Sequence, residues 1–147
     1  MADIVRLEEN GVPKYIETHA KAVLGLKEAI SSGLSKGEKI WSGAAYPQGD
    51  LTYPSKKLSE CENGWILVLQ SYKGGGVVNP WDKSYHPIPK APVLANPGVN
   101  TKLESFNTGG ASKVYKQVYL DDATIKGHVT NGEGTSASQV LSEVWSW

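Results

Sequence analysis

The chain has 147 residues, with 15 Lys and Arg against 15 Asp and Glu, giving a formal net charge of zero. That length allows one domain, or one domain with a small appendage, and a core that needs no staples. The balance, without a basic run, argues against a nucleic-acid partner; the lone cysteine, Cys61, excludes an intramolecular disulfide; and no stretch is apolar enough for a signal peptide or a membrane span.

Residues 3–16 predict a small hairpin. Ile4-Val5-Arg6-Leu7 is extended, Glu9-Asn10-Gly11 turns, and Val12-Pro13-Lys14-Tyr15-Ile16 returns, with Pro13 restricting that arm to an edge. Thr18 has N-cap chemistry, His19 to Ser31 holds mostly good helix formers, and Gly33 stops the helix. Ile16, Val23 and Ile30 fall at heptad a positions, with His19 and Leu26 at d, a stripe that fits the seam of a short coiled coil. An amphipathic helix lying on its own domain has the same pattern, and so short a helix is marginal alone.

From Lys36 the pattern changes to strands and turns. Lys39–Tyr46 alternates loosely and ends at Pro47-Gln48-Gly49-Asp50; Leu51-Thr52-Tyr53 is short and stops at Pro54. Asn63-Gly64 then opens the near-continuous apolar run Trp65–Tyr72, the signature of a strand covered on both faces. Residues 73–101, with Gly74-Gly75-Gly76 and Pro80, Pro87, Pro89, Pro92 and Pro97, predict a long loop holding one short edge strand near Tyr85–Lys90. Lys113–Leu120 shows the clearest alternation, Asp121-Asp122 turns, and Thr124–Val129 follows. After the turn at Asn131-Gly132-Glu133-Gly134, the Val- and Trp-rich run Gln139–Trp147 closes the chain as a strand. Short strands separated by turn signals predict a mostly β fold: an antiparallel, jelly-roll-like β-sandwich head over residues 36–147, behind an attachment segment at 1–35.

The sequence carries no nucleophile elbow, phosphate loop or zinc-protease motif. His19, His86 and His128 lie far apart without metal-ligand spacing, and Cys61 has no histidine base beside it. Asp121, Asp122, Asn131 and Glu133 offer oxygen ligands of the kind calcium takes, yet Asp and Asn also populate turns for conformational reasons alone. The expectation is no enzyme, no cofactor and no metal site.

What remains is aromatic. Five Trp and seven Tyr stand against a single Phe, and such amphipathic rings suit surfaces that are apolar at one end and wet at the other. A β-rich fold also uses them in its strands. Trp41, Tyr72, Trp81 and Tyr85 are the candidates for a saccharide platform, with Trp81, flanked by Pro80 and Asp82, the foremost.

Lys56-Lys57-Leu58-Ser59-Glu60-Cys61-Glu62-Asn63-Gly64-Trp65-Ile66-Leu67-Val68-Leu69 resembles a "KLSEC-x-NGWILVWS-x-Y" segment of baseplate and tail-fibre proteins from phages of Gram-positive bacteria. Pro87-Ile88-Pro89-Lys90 is similar to the "F-x-PK" edge that follows it there. The run from Lys116 to Asn131 resembles "K-x-VYI-x-D-x-x-I-x-G-x-x-x-N", and Val140-Leu141-Ser142-Glu143-Val144 the terminal "VL-x-x-V". Glu9–Val12 with Tyr15 and Thr18–Gly25 looks like the leader that attaches such heads to a tail. Leu69 departs from the pattern, as does the Gly-rich segment around Trp81, so no ligand carries over. The resemblance implies a virion protein of the tail tip, usually a homotrimer, in a family where some members touch cell-wall saccharide and others only connect parts of the tail. The heptad stripe Ile16, Val23, Leu26 and Ile30 is the expected seam of that trimer, and other tail proteins and cell-wall saccharide are the expected partners. A purely structural connector, or a free-standing carbohydrate-binding module, is the rival expectation.

Overall fold

The computed structural model describes residues 7–10, 12–14, 37–107 and 112–147. The chain divides between Ser35 and Lys36 into two units. In the first, β1 (Leu7–Glu9) and β2 (Val12–Lys14) pair antiparallel, Glu9 opposite Val12. Asn10 between them takes φ 55°, a left-handed conformation that Asn tolerates better than most residues. The expected helix at 19–31 and the seam of Ile16, Val23, Leu26 and Ile30 lie outside the described residues.

The second unit is an antiparallel β-sandwich. Its strands are β3 (Lys39–Ala45), β4 (Gly64–Gly74), β5 (Val77–Pro89), β6 (Asn100–Phe106), β7 (Lys113–Leu120), β8 (Ile125–Gly127) and β9 (Gln139–Ser146). A 4-stranded sheet runs β3-β9-β4-β5 and a 3-stranded sheet runs β6-β7-β8. Between them lies a core drawn from every strand: Ile40, Trp65, Leu67, Leu69, Ile88, Leu103, Val118, Leu120, Ile125, Leu141 and Val144, with Leu58 and Cys61 closing one end. Each such side chain contributes about 1.5–3 kcal/mol by leaving water. The apolar run at 65–72 is the interior strand β4, flanked by β9 and β5, and Val68 and Gln70 on its other face are buried as well. The closing run is a strand, as its Val and Trp content indicates, and pairs with both β3 and β4.

Three local expectations need correction. Residues 77–89 are not a loop with a short strand but the long strand β5, because the ladder groups of β4 on that side need a partner. Its prolines are tolerated since β5 is an edge strand whose outer N–H groups bond nothing in the sheet. Gly74-Gly75-Gly76 makes the tight turn into it; Gly75 and Gly76 both have positive φ, the primed hairpin geometry. Pro89 then starts a short helix, α1 (Lys90–Ala95), within the stretch expected as loop. β6 follows, beginning at the end of that stretch and running on through residues whose pattern predicts no element. Finally, Leu51-Thr52-Tyr53 is not a strand: only Thr52 bridges, to Ile125.

The segments that carry the family resemblance are clasps between elements. A side chain at Gly64 would meet Ile88 O at 2.0 Å. Lys90 N donates to Asn63 O at 2.8 Å, and Lys90 Nζ to Cys61 O at 2.7 Å. Ser59 N and Oγ both donate to the Asp122 carboxylate. Those residue types are required by backbone approach and hydrogen bonding, with no chemistry implied.

Candidate functional site

Trp41 lies on β3, at one edge of the larger sheet, half-buried against the core. A Cβ on Gly43 would stand 2.9 Å from two atoms of the Trp41 ring, so the indole is laid over that glycine. After β3 the chain turns through Pro47–Asp50, and the two segments enclose a groove of about 520 Å³ lined by Trp41, Tyr46, Gln48, Asp50 and Tyr53 among others. Tyr53 is 61% exposed. Aromatic faces thus stand beside an amide and a carboxylate, the composition of a site that orients an amphipathic ligand by a few polar groups.

The groove has a firm support. Tyr46 Oη donates to Ala137 O at 2.8 Å, and its ring meets Tyr72 edge-on, centroids 5.4 Å apart. Behind it is the buried Lys116 of β7, whose Nζ lies 5.1 Å from the Tyr46 centroid and donates to the carbonyls of Asn131 and Ser136. Burial pulls the Lys116 ammonium down to about 8.

The Pro47–Asp50 turn is tied to the smaller sheet. Gly127 N donates to Gln48 O at 2.8 Å, Asn131 Nδ2 to Pro47 O at 2.6 Å, and Gln48 Nε2 to Val129 O at 2.8 Å. Any side chain at Gly127 would collide with Pro47 O, 1.3 Å from where its Cβ would stand. Asn131 also accepts from Gln117 N at 2.9 Å and donates to Gln117 O at 2.9 Å, so both amide hydrogens and the carbonyl oxygen are engaged. The spacing Gly127-x-x-x-Asn131 therefore positions one turn of the groove.

The four aromatic candidates do not form one platform. Trp41 lines the groove, and Tyr72 supports Tyr46 behind it. Trp81 and Tyr85 are on β5, the opposite edge of the same sheet, separated from β3 by β9 and β4, a span of roughly 14 Å at ~4.8 Å per strand. Trp81 is not in a loop: it sits where the β4–β5 register shifts between the Gln70–Lys83 and Tyr72–Val78 pairs. It is 73% exposed, with Lys73 Nζ 4.8 Å from its ring centroid. Tyr85 is 61% exposed.

Sequence reasoning missed Tyr46, Gln48, Asp50 and Tyr53. Pro47-Gln48-Gly49-Asp50 reads as a turn, and nothing local announces that it is held against β8 from 80 residues away. The signal that was present is Trp41-x-Gly43 on a strand, an aromatic two residues from a glycine on the same face.

Three of the four oxygen ligands considered for calcium, Asp121, Asp122 and Asn131, are engaged within the fold. Asp121 accepts from Ala123 N, Thr124 N and Thr124 Oγ1, Asp122 from Ser59, and Asn131 holds Pro47. Among the described residues no three of His, Cys, Asp or Glu converge. No described helix is long and apolar enough to cross a membrane. Compared with known proteins, the chain matches no family model, no curated protein and no solved structure.

Proposed function

We propose that this chain is a structural protein of a phage tail tip or baseplate whose β-sandwich head recognises cell-wall saccharide of a Gram-positive host. The observation that carries the recognition is the groove in which Trp41, Tyr46 and Tyr53 stand beside Gln48 and Asp50. Aromatic faces stack on the C–H surfaces of sugar rings, while the amide and the carboxylate bond hydroxyl groups. A homotrimer closed by Ile16, Val23, Leu26 and Ile30 would present the groove three times on one particle, so weak single sites gain avidity through effective concentration. The role is binding, with no catalysis and no cofactor. The test is retention on isolated Gram-positive cell walls by the intact protein and by Trp41→Ala, with circular dichroism to establish folding. Binding lost in a folded variant supports the reading; equal binding removes the groove from it.

One observation favours a connector instead. On the outer face of the larger sheet Ile66 is flanked by its cross-strand partners Pro87 and Trp145, with the exposed Tyr85 in the next row. An apolar row of this kind suits a protein surface. If Trp145→Ser abolished incorporation into tails while wall retention was absent in the parent protein, the connector reading would replace saccharide recognition.

A further inference from the structure

A second groove, of about 550 Å³, lies on the far side of the Pro47–Asp50 turn. Gln48 and Asp50 line the first groove, whereas Gly49 between them lines this one, with Tyr119, Lys126 and His128. The floor is the outer face of the smaller sheet. Tyr119 is paired on one side with Asn100 and on the other with Lys126. The next row is Lys102, Gln117 and His128, the last joined through its N–H to Gln117 O at 3.0 Å. Residues directly opposite on paired strands share a face. Both rows therefore present donors and cations, and no carboxylate is among the described residues lining this groove.

The side chains are ready to donate. The Nδ1 of His128 stands 2.8 Å from the Thr130 hydroxyl and accepts from the Thr130 N–H at 3.4 Å; in the tautomer with Nδ1 as acceptor, Nε2 carries the N–H. Beside the groove, Asn100 Nδ2 donates to Gln117 Oε1 at 2.8 Å, which turns that acceptor toward a neighbouring side chain. Lys126 is exposed and has no carboxylate partner among the described residues.

We infer that this second groove holds an oxyanion, a phosphate or a carboxylate, carried on the same saccharide chain whose neutral ring occupies the groove of Trp41 and Tyr53. The inference rests on the saccharide reading above, and it narrows the ligand class to an anionic glycan. Lys126 supplies the charge, and His128 Nε2–H and the Tyr119 hydroxyl supply directed hydrogen bonds, which are strong when the acceptor is ionised. The shared turn places the two subsites side by side.

The test is two-dimensional amide NMR on the intact chain at constant ionic strength, titrated separately with inorganic phosphate, methyl glucuronide and methyl glucoside. The expected result is that one or both anions shift the amides of Lys126, Gly127 and His128, and that Lys126→Ala weakens this at least roughly tenfold. Phosphate alone acting marks a phosphorylated glycan, glucuronide alone an acidic sugar. Methyl glucoside should move only residues around Trp41 and Tyr53; its failure to do so bears on the saccharide reading and leaves the oxyanion result standing. No shift at 126–128 with either anion, or shifts unchanged in Lys126→Ala, overturns the inference. So does a short oligonucleotide that saturates the same amides more tightly than both small anions, since it would mark a nucleic-acid surface.

Discussion

Lys116 Nζ lies 5.1 Å from the centroid of the Tyr46 ring, beneath the groove and with no solvent exposure. Its folded-state value of about 8 is below the ordinary 10.5, and burial is the cause. Between those values the unfolded chain binds a proton that the folded chain does not, so stability rises with pH across that window. Below about 8 the whole cost of burying the ammonium is present. Tyr46 itself is pushed up from 10.0, by burial and then by the neighbouring Tyr72, and opposes folding only above that value. Urea midpoints should therefore climb from about pH 8 to about pH 10. In Lys116→Met the climb should vanish; a slope equal to the parent's would place the titration elsewhere.

Glu143 acts at the acid end. Burial raises its carboxyl, but hydrogen bonds from Trp145 Nε1 at 2.8 Å and Lys83 Nζ at 3.0 Å, with the charge of Lys39, bring it below the ordinary 4.5. A depressed carboxylate stabilises the fold above its unfolded value, and that contribution is lost as pH falls through the folded one. Glu143→Gln should flatten the acid limb of the stability profile. The Lys39 and Lys83 pairs are partly solvated, so the change at neutral pH should be about 1 kcal/mol or less.

The turn between the grooves depends on Asn131 and Gly127. Asn131→Ala strips partners from Pro47 O, Gln117 N and Gln117 O, at a cost on the order of 3 kcal/mol. Gly127→Ala should cost at least as much, since its Cβ collides with backbone that cannot yield easily. Thermal melts measure both. A Gly127→Ala protein as stable as the parent would mean that the turn is not clasped in this way.

Gly43→Ala separates stability from binding. The new methyl would stand 2.9 Å from the Trp41 ring and tilt it out of place. The expected stability change is about 1 kcal/mol, whereas wall binding should fall roughly tenfold or more. Trp81→Ala, by contrast, should change stability by less than ~0.5 kcal/mol, because that ring is mostly solvated. Loss of binding in Trp81→Ala with binding kept in Trp41→Ala would move the site to the β5 edge.

Leu26→Asp addresses the proposed trimer. A buried charge in a seam this short should lower the particle mass measured by light scattering. An unchanged trimer would assign the assembly to the head.

Periodicity made the larger part of the sandwich legible. Trp65–Tyr72 announces a strand covered on both faces, and Lys113–Leu120 alternates so that Val114, Lys116, Val118 and Leu120 all turn inward. The same alternation hid a charge in the interior, because Lys116 is buried at a position where a β-branched residue would be expected. The strand β6 was not legible: its inward positions include Thr101 and Ser105, too polar to mark a face. Of β5 only the stretch near Tyr85–Lys90 was legible, as an edge strand; the prolines and glycines before it speak against a strand until its pairing with β4 is known. Of the groove, only Trp41 was identified from sequence. Its other walls come from a turn held by Gly127 and Asn131, and such long-range hydrogen bonds leave no local pattern.

The measurement that tests the central claim most directly is retention on purified Gram-positive cell-wall polysaccharide by the parent protein, Trp41→Ala and Tyr53→Ala, each verified as folded. Saccharide recognition at the β3 groove predicts saturable binding by the parent and its loss in both variants. Equal retention by all three, or none by the parent across polysaccharides from several hosts, would contradict it.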